Sequence, residues 1–390
     1  MKKSTRGALA LALTGTALST VMLPADPAAA RAGSTIEVVA EGLDTPRGLV
    51  YDAGNRRVLL AEAGEGGPSG PDGGTCGQTG LGAVWCYGAT GAIFQYSERR
   101  RSGRRIVTGL PSTGIYDDSG TQRFSVLGVH DLSLSSAGHL RAVFGLAGER
   151  PFRDQLGPGA VPLGQLARVA GHSGELVPEA DLATYEQRHD PHPGDTESNL
   201  YGLDSGPYGT VVVDASGNDV LLVRPDGGIK VLAVLPARAP AADPGGLVES
   251  VPTAVVRGPG GAFYVGELSG FPYHKGEAKV WRLVPGRSPT VYADGFTNIA
   301  DLTFDERGRL IVLEMAKDGL FDGNPGHSGD TVTGRLVRVN ADGSRTDLAT
   351  TGLENPGGVA YAGDGVFYVT NRSTGAGDTG QLLRVKVPRG

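Results

Sequence analysis

An internal repeat constrains this chain more than any other feature of its sequence. Six segments begin with a short β-type run that meets a turn rich in Gly, Asp or Asn. They are "TPRGLVYD" (45–52), "GVHDLSLS" (128–135), "NLYGLDSG" (199–206), "VPTAVVRG" (251–258), "NIADLTFD" (298–305) and "NPGGVAYA" (355–362). Further alternating apolar runs follow each one, as in a chain of β-hairpins. Repeats of about 40–50 residues with four strands are typical of β-propeller blades. We therefore predict an all-β, six-bladed β-propeller.

The two ends of the repeat array complement each other. The last repeat supplies three strands and ends at "VKVPRG" (385–390), without a closing strand. The segment "STIEVVAEGLDTP" (34–46) matches closing strands of other repeats, such as "SPTVYADGFTN" (288–298). The N-terminal strand should therefore complete the last blade, which leaves no exposed sheet edge between the chain ends.

The first 30 residues have the pattern of a secretory signal peptide. Lys2, Lys3 and Arg6 precede an apolar stretch at 8–23, and "AAA" (28–30) provides small residues for cleavage. The apolar stretch is shorter than the roughly 20 residues that a membrane span needs. We predict a secreted protein in which residues 31–390 form a single propeller domain, with no membrane span after cleavage.

Charge argues against some classes of partner. Removal of residues 1–30 takes away three basic residues and one acidic residue, which changes the net charge from −6 to −8. An acidic chain is a poor ligand for nucleic acid or anionic membranes. The basic run "RRRSGRR" (99–105) is interpreted as a solvated hairpin turn.

Two local features lie in insertions between the predicted strands. Cys76 and Cys86 share a Gly-rich segment, and export favours a disulfide between them over a thiol metal site. The insertion at 176–197 contains "PEADLATYEQ", where Glu179 and Asp181 suit the start of a short helix.

Several longer phrases resemble a known family. "VVVDASGNDVLLVRPDGG" (211–228) is similar to an NHL-type repeat, and "WCYGATGAI" (85–93), "YVGELSGFPY" (264–273) and "YADGFTNIADL" (292–302) resemble exported proteins of the ScyD/ScyE family. The resemblance covers essentially the whole chain after residue 30. It implies a TolB-like six-bladed propeller, and it implies no particular activity.

A first set of candidate site residues ends the second strand of each repeat. The aligned positions are Glu62, Gly145, Asp214, Glu267, Glu314 and Asn371. A ring of such acceptors could hold a hard cation, which takes six to eight oxygens. Alternatively, each acid accepts hydrogen bonds from a neighbouring turn. Because a structural device recurs with the repeat, we favour the structural interpretation.

A second set lies where the first strand of each repeat begins. One column reads Arg47, His130, Tyr201, Thr253, Ala300 and Gly357, and the next reads Gly48, Asp131, Gly202, Ala254, Asp301 and Gly358. These positions do not follow the repeat. Arg47, His130, Asp131, Tyr201 and Asp301 are therefore the candidate ligand-binding residues at the channel mouth. Buried polar groups that bond only to each other or to water are the alternative.

Three functions remain open from the sequence. The first is a non-catalytic binding or scaffold module, expected to be a monomer, for a small molecule or a protein. The second is a divalent-metal-dependent hydrolase of the lactonase or phosphotriesterase type that uses His130 and Asp301, with Ca²⁺ as the metal. Calcium-binding lactonases of the gluconolactonase and regucalcin type need Asn in the strand-start column, whereas Asn199, Asn298 and Asn355 lie earlier. We therefore predict no resident cofactor. The third is a structural role in an extracellular assembly.

Overall fold

A computed structural model describes residues 33–68, 75–80, 82–116, 123–171, 174–240, 246–320, 332–374 and 377–388. The strands in these ranges form six sheets that follow one another along the chain, and residues 33–390 form one compact unit. The prediction of a six-bladed β-propeller is confirmed. The predicted signal peptide, residues 1–30, lies outside the described residues.

Five of the six blades have four strands, and the first strand of each blade is called its inner strand below. Blade 1 contains Pro46–Asp52, Arg57–Glu62, Val84–Ser97, Ser102–Tyr116 and Arg123–Leu127, and the short strand Cys76–Gln78 pairs with its third strand. Blade 2 contains Val129–Leu134, Leu140–Phe144, Gln165–Ala170 and Glu175–Asp181; blade 3 contains Leu200–Gly206, Gly209–Asp214, Asp219–Val223 and Ile229–Val234; blade 4 contains Pro252–Arg257, Phe263–Glu267, Ala278–Leu283 and Thr290–Phe296. Blade 5 contains Ile299–Phe304, Leu310–Glu314, Arg335–Val339 and Arg345–Ala349; blade 6 contains Gly358–Gly363, Val366–Asn371, Gly380–Lys386 and Thr35–Leu43.

The N-terminal strand closes the ring as predicted. Thr35–Leu43 pairs antiparallel with Gly380–Lys386, with Ile36 opposite Val385. Blade 6 is thus built from both ends of the chain. This pairing covers the edge that Gly380–Lys386 would otherwise expose.

The core lies between neighbouring blades. Second strands such as Phe263–Glu267 and Leu310–Glu314 are buried along their whole length. Because successive side chains of a strand point to opposite faces, each such strand contacts two neighbouring blades. Ile311 of blade 5, for example, shares a cluster with Phe367 and Val369 of blade 6. Strands buried on both faces explain why the second strands read as continuous apolar runs.

Blade 1 departs from the predicted pattern. Its third strand extends from Val84 to Ser97, and a fifth strand, Arg123–Leu127, pairs with the fourth. Register shifts between Gly88 and Ala92 let the long hairpin bend. The predicted disulfide is confirmed, since Cys76 and Cys86 are bonded and occupy opposite positions on paired strands.

Short helices lie in the insertions of blade 2. Leu182–His189 is the helix predicted there, and the Asp181 side chain caps it by accepting a bond from Thr184 N at 3.0 Å. A second helix spans Arg150–Gln155 and a 3₁₀ turn spans Pro158–Ala160 in the same blade. Another 3₁₀ turn, Pro259–Gly261, connects the first two strands of blade 4. Within the described ranges, no helix has both the length and the apolarity that a membrane crossing requires.

Candidate functional site

The six inner strands surround a central cavity of about 270 Å³. Each inner strand contacts the next in blade order, and that of blade 6 contacts that of blade 1. The polar residues lining the cavity are Tyr51, Asp131, Ser133, Asp204, Ser205, Asp301, Thr303 and Tyr361. Among the described lining residues there is no Lys, Arg or His. The cavity is therefore rich in hydrogen-bond acceptors, and no described residue places a cationic side chain in its wall.

Asp131 and Asp301 occupy the same register on blades 2 and 5, which are opposite each other in a ring of six. The equivalent positions of the other four blades carry Gly or Ala. Gly48 is required by this arrangement, because a Cβ there would overlap the Asp131 carboxylate. The small residues leave the space at this level of the channel to the two carboxyl groups.

Each channel aspartate also links its own blade to the next one. Its carboxylate accepts a hydrogen bond from a backbone N–H in the neighbouring inner strand. The bonds run from Leu203 N to Asp131 Oδ2 (3.0 Å), from Arg257 N to Asp204 Oδ2 (2.6 Å) and from Val359 N to Asp301 Oδ2 (2.7 Å). Inner strands have one edge without a partner strand, so these carboxylates satisfy donors that would otherwise be unpaired.

The channel carboxyl groups hold protons more tightly than free aspartate does. Burial raises the pKa of Asp131 well above its ordinary value, and the charge of Asp301 raises it further. Burial raises the pKa of Asp301 to about 7, against the opposing effect of two backbone N–H bonds. Burial also raises the pKa of Asp204. Near neutral pH, the pair Asp131 and Asp301 thus carries at least part of a proton.

Arg47, His130 and Tyr201 form a separate cluster at the beginning of the inner strands. Arg47 Nη1 donates to the Tyr201 hydroxyl at 3.3 Å, and Nη2 donates to Val126 O at 2.8 Å. The rings of His130 and Tyr201 lie 4.8 Å apart. None of these three side chains lines the central cavity. The five residues predicted at one channel mouth are therefore divided between a buried cluster and an open cavity.

His130 is only 1% exposed and is held as a neutral ring. Its Nδ1 lies 2.8 Å from the carbonyl oxygen of Leu200, so Nδ1 carries the hydrogen and Nε2 does not. Burial, and then the charge of Arg47, lowers the pKa of His130 to about 3. A base this weak and this enclosed is a poor proton acceptor at neutral pH.

Two departures from the repeat in blade 2 have one cause. Blade 2 carries Gly145 where other blades carry an acid or Asn. A Cβ at Gly145 would overlap the His130 ring. The absence of a side chain at Gly145 therefore makes room for the His130 ring. In the aligned repeats, the two residues are separate exceptions with no visible connection.

The five polar residues that end the second strands are at most 2% exposed. Four of them accept a bond from the backbone just ahead of their own inner strand: Asp44 N to Glu62 (2.8 Å), Asn199 N to Asp214 (2.7 Å), Thr297 N to Glu314 (2.6 Å) and Glu354 N to Asn371 (2.7 Å). Glu267 instead accepts a bond from Trp281 Nε1 at 2.8 Å. Such bonds are those expected of a structural brace.

Arginines pair with three of these acids. Arg105 pairs with Glu62, Arg238 with Glu267 and Arg335 with Glu314. Burial raises the pKa of Glu62 and Glu267, and the arginines oppose that effect. The acids thus face the framework of their own blades and do not line the central cavity.

The described residues that line the channel lack the asparagine that a calcium-binding lactonase uses at the beginning of its inner strands. Asn298, one of the displaced asparagines, uses its side chain to bind Leu268 O and Leu320 N. Asp131 and Asp301 already bind backbone N–H groups with both oxygens. In the described part of the chain, no three or more His, Cys, Asp or Glu side chains are grouped so as to hold a metal ion.

Asp204 is a lining residue that the sequence columns missed. It lies two positions after Gly202 on the same inner strand, and therefore on the same face. Ser133 and Thr303 occupy the equivalent positions of blades 2 and 5. A search for polar residues at every second position of the inner strands would have found all three.

Comparison with known proteins supports the fold. No protein-family model and no curated protein matches the chain, so the resemblance to the ScyD/ScyE family stays a hypothesis. Among solved structures, the chain is similar to a protein of unknown function from Bacteroides thetaiotaomicron (9% identity, TM-score 0.55, covering 91% of this chain and 76% of that one). It is also similar to a gluconolactonase from Xanthomonas campestris (10%, 0.51, 91% and 90%) and to a calcium-binding protein, regucalcin, from Agrobacterium tumefaciens (12%, 0.51, 92% and 96%). At these identities the likeness shows the propeller fold alone.

Proposed function

We propose that this chain is an exported binding module whose central cavity takes a small ligand rich in hydrogen-bond donors, such as a polyol or an amine. The observation that carries the proposal is the lining of the cavity. Asp131, Asp204 and Asp301 come from three blades, and no described Lys, Arg or His accompanies them. Export is inferred from the N-terminal pattern and agrees with the disulfide.

The size of the cavity favours a small molecule over a protein segment. A volume of about 270 Å³ lies near the lower end of the range for small-molecule sites. Among the described residues, Asp204 accepts one hydrogen bond, at Oδ2. Its other oxygen, Oδ1, is therefore available to a ligand. Ser133, Ser205 and Thr303 add hydroxyl groups beside the carboxyls.

Calorimetric titration with three probes tests this proposal. Sorbitol supplies neutral donors, putrescine supplies cationic donors, and succinate supplies acceptors only. We expect the first two to bind and succinate not to bind. We also expect Asp204→Asn to weaken putrescine binding about tenfold, the effect of losing one charged contact of roughly 1.4 kcal/mol. Asp226→Asn, which changes an exposed turn residue of the same blade, is the matched control.

The proposal fails if neither donor probe binds, or if succinate binds more tightly than both. It also fails if Asp204→Asn and Asp226→Asn weaken putrescine binding equally, because the effect then comes from overall charge and not from the cavity.

The pairing of Asp131 with Asp301 favours a second candidate, a hydrolase. The protonated carboxyl could donate to a leaving oxygen while the ionised one takes a proton from the attacking water. Gluconolactone is the probe, since one similar structure is a gluconolactonase. We expect Asp301→Asn to abolish any hydrolysis above the rate in buffer. If the wild-type protein does not exceed that rate, this candidate is rejected for lactones of this type.

A further inference from the structure

Blade 3 carries a cluster of buried carboxyl groups that neither the central cavity nor the repeat explains. Asp214 ends the second strand of the blade, and Asp219 lies directly opposite it on the third strand. Glu186 reaches the same place from the helix Leu182–His189. A Cβ at Gly217 would lie 3.3 Å from Glu186 Oε2 and 3.5 Å from Asp214 Cγ. All three carboxyl groups belong to residues that are 0% exposed.

The other blades act as an internal comparison. In blades 1, 4 and 5, the acid that ends the second strand pairs with an arginine, namely Arg105, Arg238 or Arg335. In blade 3, the residue opposite Asp214 is another acid. Further carboxylates that act on Glu186 belong to Asp195 and Asp190. Where blades 1, 4 and 5 place an arginine, blade 3 therefore places further carboxyl groups.

Asp214 has several hydrogen-bond donors, whereas its two neighbours have none among the described residues. Ser198 Oγ and the N–H groups of Asn199, Ser216 and Gly217 all donate to Asp214. By contrast, both oxygens of Glu186 and both oxygens of Asp219 are buried without a donor among the described residues. These two carboxyl groups lie within hydrogen-bond reach of each other.

Such an arrangement has to be compensated, either by protons on the carboxyl groups or by a cation from outside the described chain. An uncompensated buried carboxylate costs several kcal/mol. One shared proton would form a single bond and leave two of the four oxygens without a partner. A cation between the two carboxylates contacts both groups at once.

We propose that Glu186 and Asp219 bind a hard divalent cation of the calcium type beneath the helix Leu182–His189, with Asp214 supplying further negative charge. Only two carboxylates face each other, so backbone carbonyl oxygens and water would complete the six to eight ligands that calcium takes. The ion neutralises the cluster and fastens the helix of blade 2 to the turn of blade 3. This site is separate from the central cavity and does not depend on its proposed ligand.

Calcium titration of EDTA-treated protein tests the site, by calorimetry and by thermal melting. We expect one Ca²⁺ per chain, with a dissociation constant on the order of 0.1–1 mM, as for extracellular modules with few charged ligands. Added calcium should raise the melting temperature. Glu186→Gln and Asp219→Asn should each abolish both effects, whereas Asp226→Asn and Asp204→Asn should keep them.

The melting temperature of Glu186→Gln should also differ from that of the wild type in the absence of metal. Because Glu186→Gln replaces a buried carboxyl group by a neutral amide that can donate to Asp219, it should melt at a higher temperature than the EDTA-treated wild-type protein. This expectation also shows whether the variant folds. The proposal is overturned if the wild-type protein takes up no calcium, since protons alone then compensate the cluster. It is equally overturned if Glu186→Gln takes up calcium as the wild type does.

Discussion

Replacing His130 by Gln should remove a pH-dependent part of the stability of the propeller. The buried ring has a pKa of about 3, below the ordinary value of 6.5, because of burial and the charge of Arg47. Below pH 6.5 the unfolded chain therefore takes up a proton that the folded chain does not. The contribution of the neutral ring to stability is fully present above pH 6.5 and is lost as the pH falls toward 3.

The size of the expected change in the free energy of unfolding follows from the width of this pH range. One proton taken up only by the unfolded state lowers the free energy of unfolding by about 1.4 kcal/mol per pH unit. Between about pH 6.5 and about pH 4.5, the wild-type protein should lose roughly 2–3 kcal/mol relative to His130→Gln. Gln is a suitable replacement because its amide group can still donate to Leu200 O and does not titrate.

Urea unfolding of both proteins, at intervals from about pH 7.5 to about pH 4.5, measures this difference. Comparing the two proteins is necessary because Asp301, with its raised pKa, contributes a slope of opposite sign. His139→Gln changes an exposed histidine of the same blade and is the matched control for the substitution itself. Parallel curves for wild type and His130→Gln over the whole range would refute the assignment of a buried neutral ring.

Three further predictions concern the acids and the closure of the ring. Glu267→Gln should lower the free energy of unfolding by about 1–3 kcal/mol, because it leaves Arg238 without its ionic partner. The same variant should bind the probes of the central cavity as the wild type does. Unchanged stability in urea unfolding would argue against the structural role of Glu267. Wild-type protein should lose stability relative to Asp301→Asn as the pH rises from 3.8 to about 7, because the folded state holds the proton of Asp301 more tightly than the unfolded state does. A stability difference between the two proteins that stays constant over this range would contradict the raised pKa of Asp301. Deletion of residues 34–43 should yield no soluble folded protein, because it exposes the edge of Gly380–Lys386, whereas a deletion variant that melts like the wild type would disprove the closure.

The sequence by itself determined the architecture. Each blade is a local unit, so its strands and turns repeat along the chain in a readable order. The closing strand was recognisable because Thr35–Leu43 repeats the pattern of other fourth strands. The helix start at Asp181 and the disulfide between Cys76 and Cys86 were also local features. The extra strand Arg123–Leu127 was missed, because it has no counterpart in the other repeats.

Only the tertiary structure decided which polar side chains meet. Alignment of the repeats placed His130 and Asp131 side by side, yet neighbouring residues of a strand point in different directions. Asp131 interacts across the channel with Asp301, whereas His130 packs against Tyr201. Glu186 and Asp219 come from different blades and share no repeat position. The repeated sequence pattern predicts the contacts within a blade. The contacts between blades form only when the blades pack into a ring.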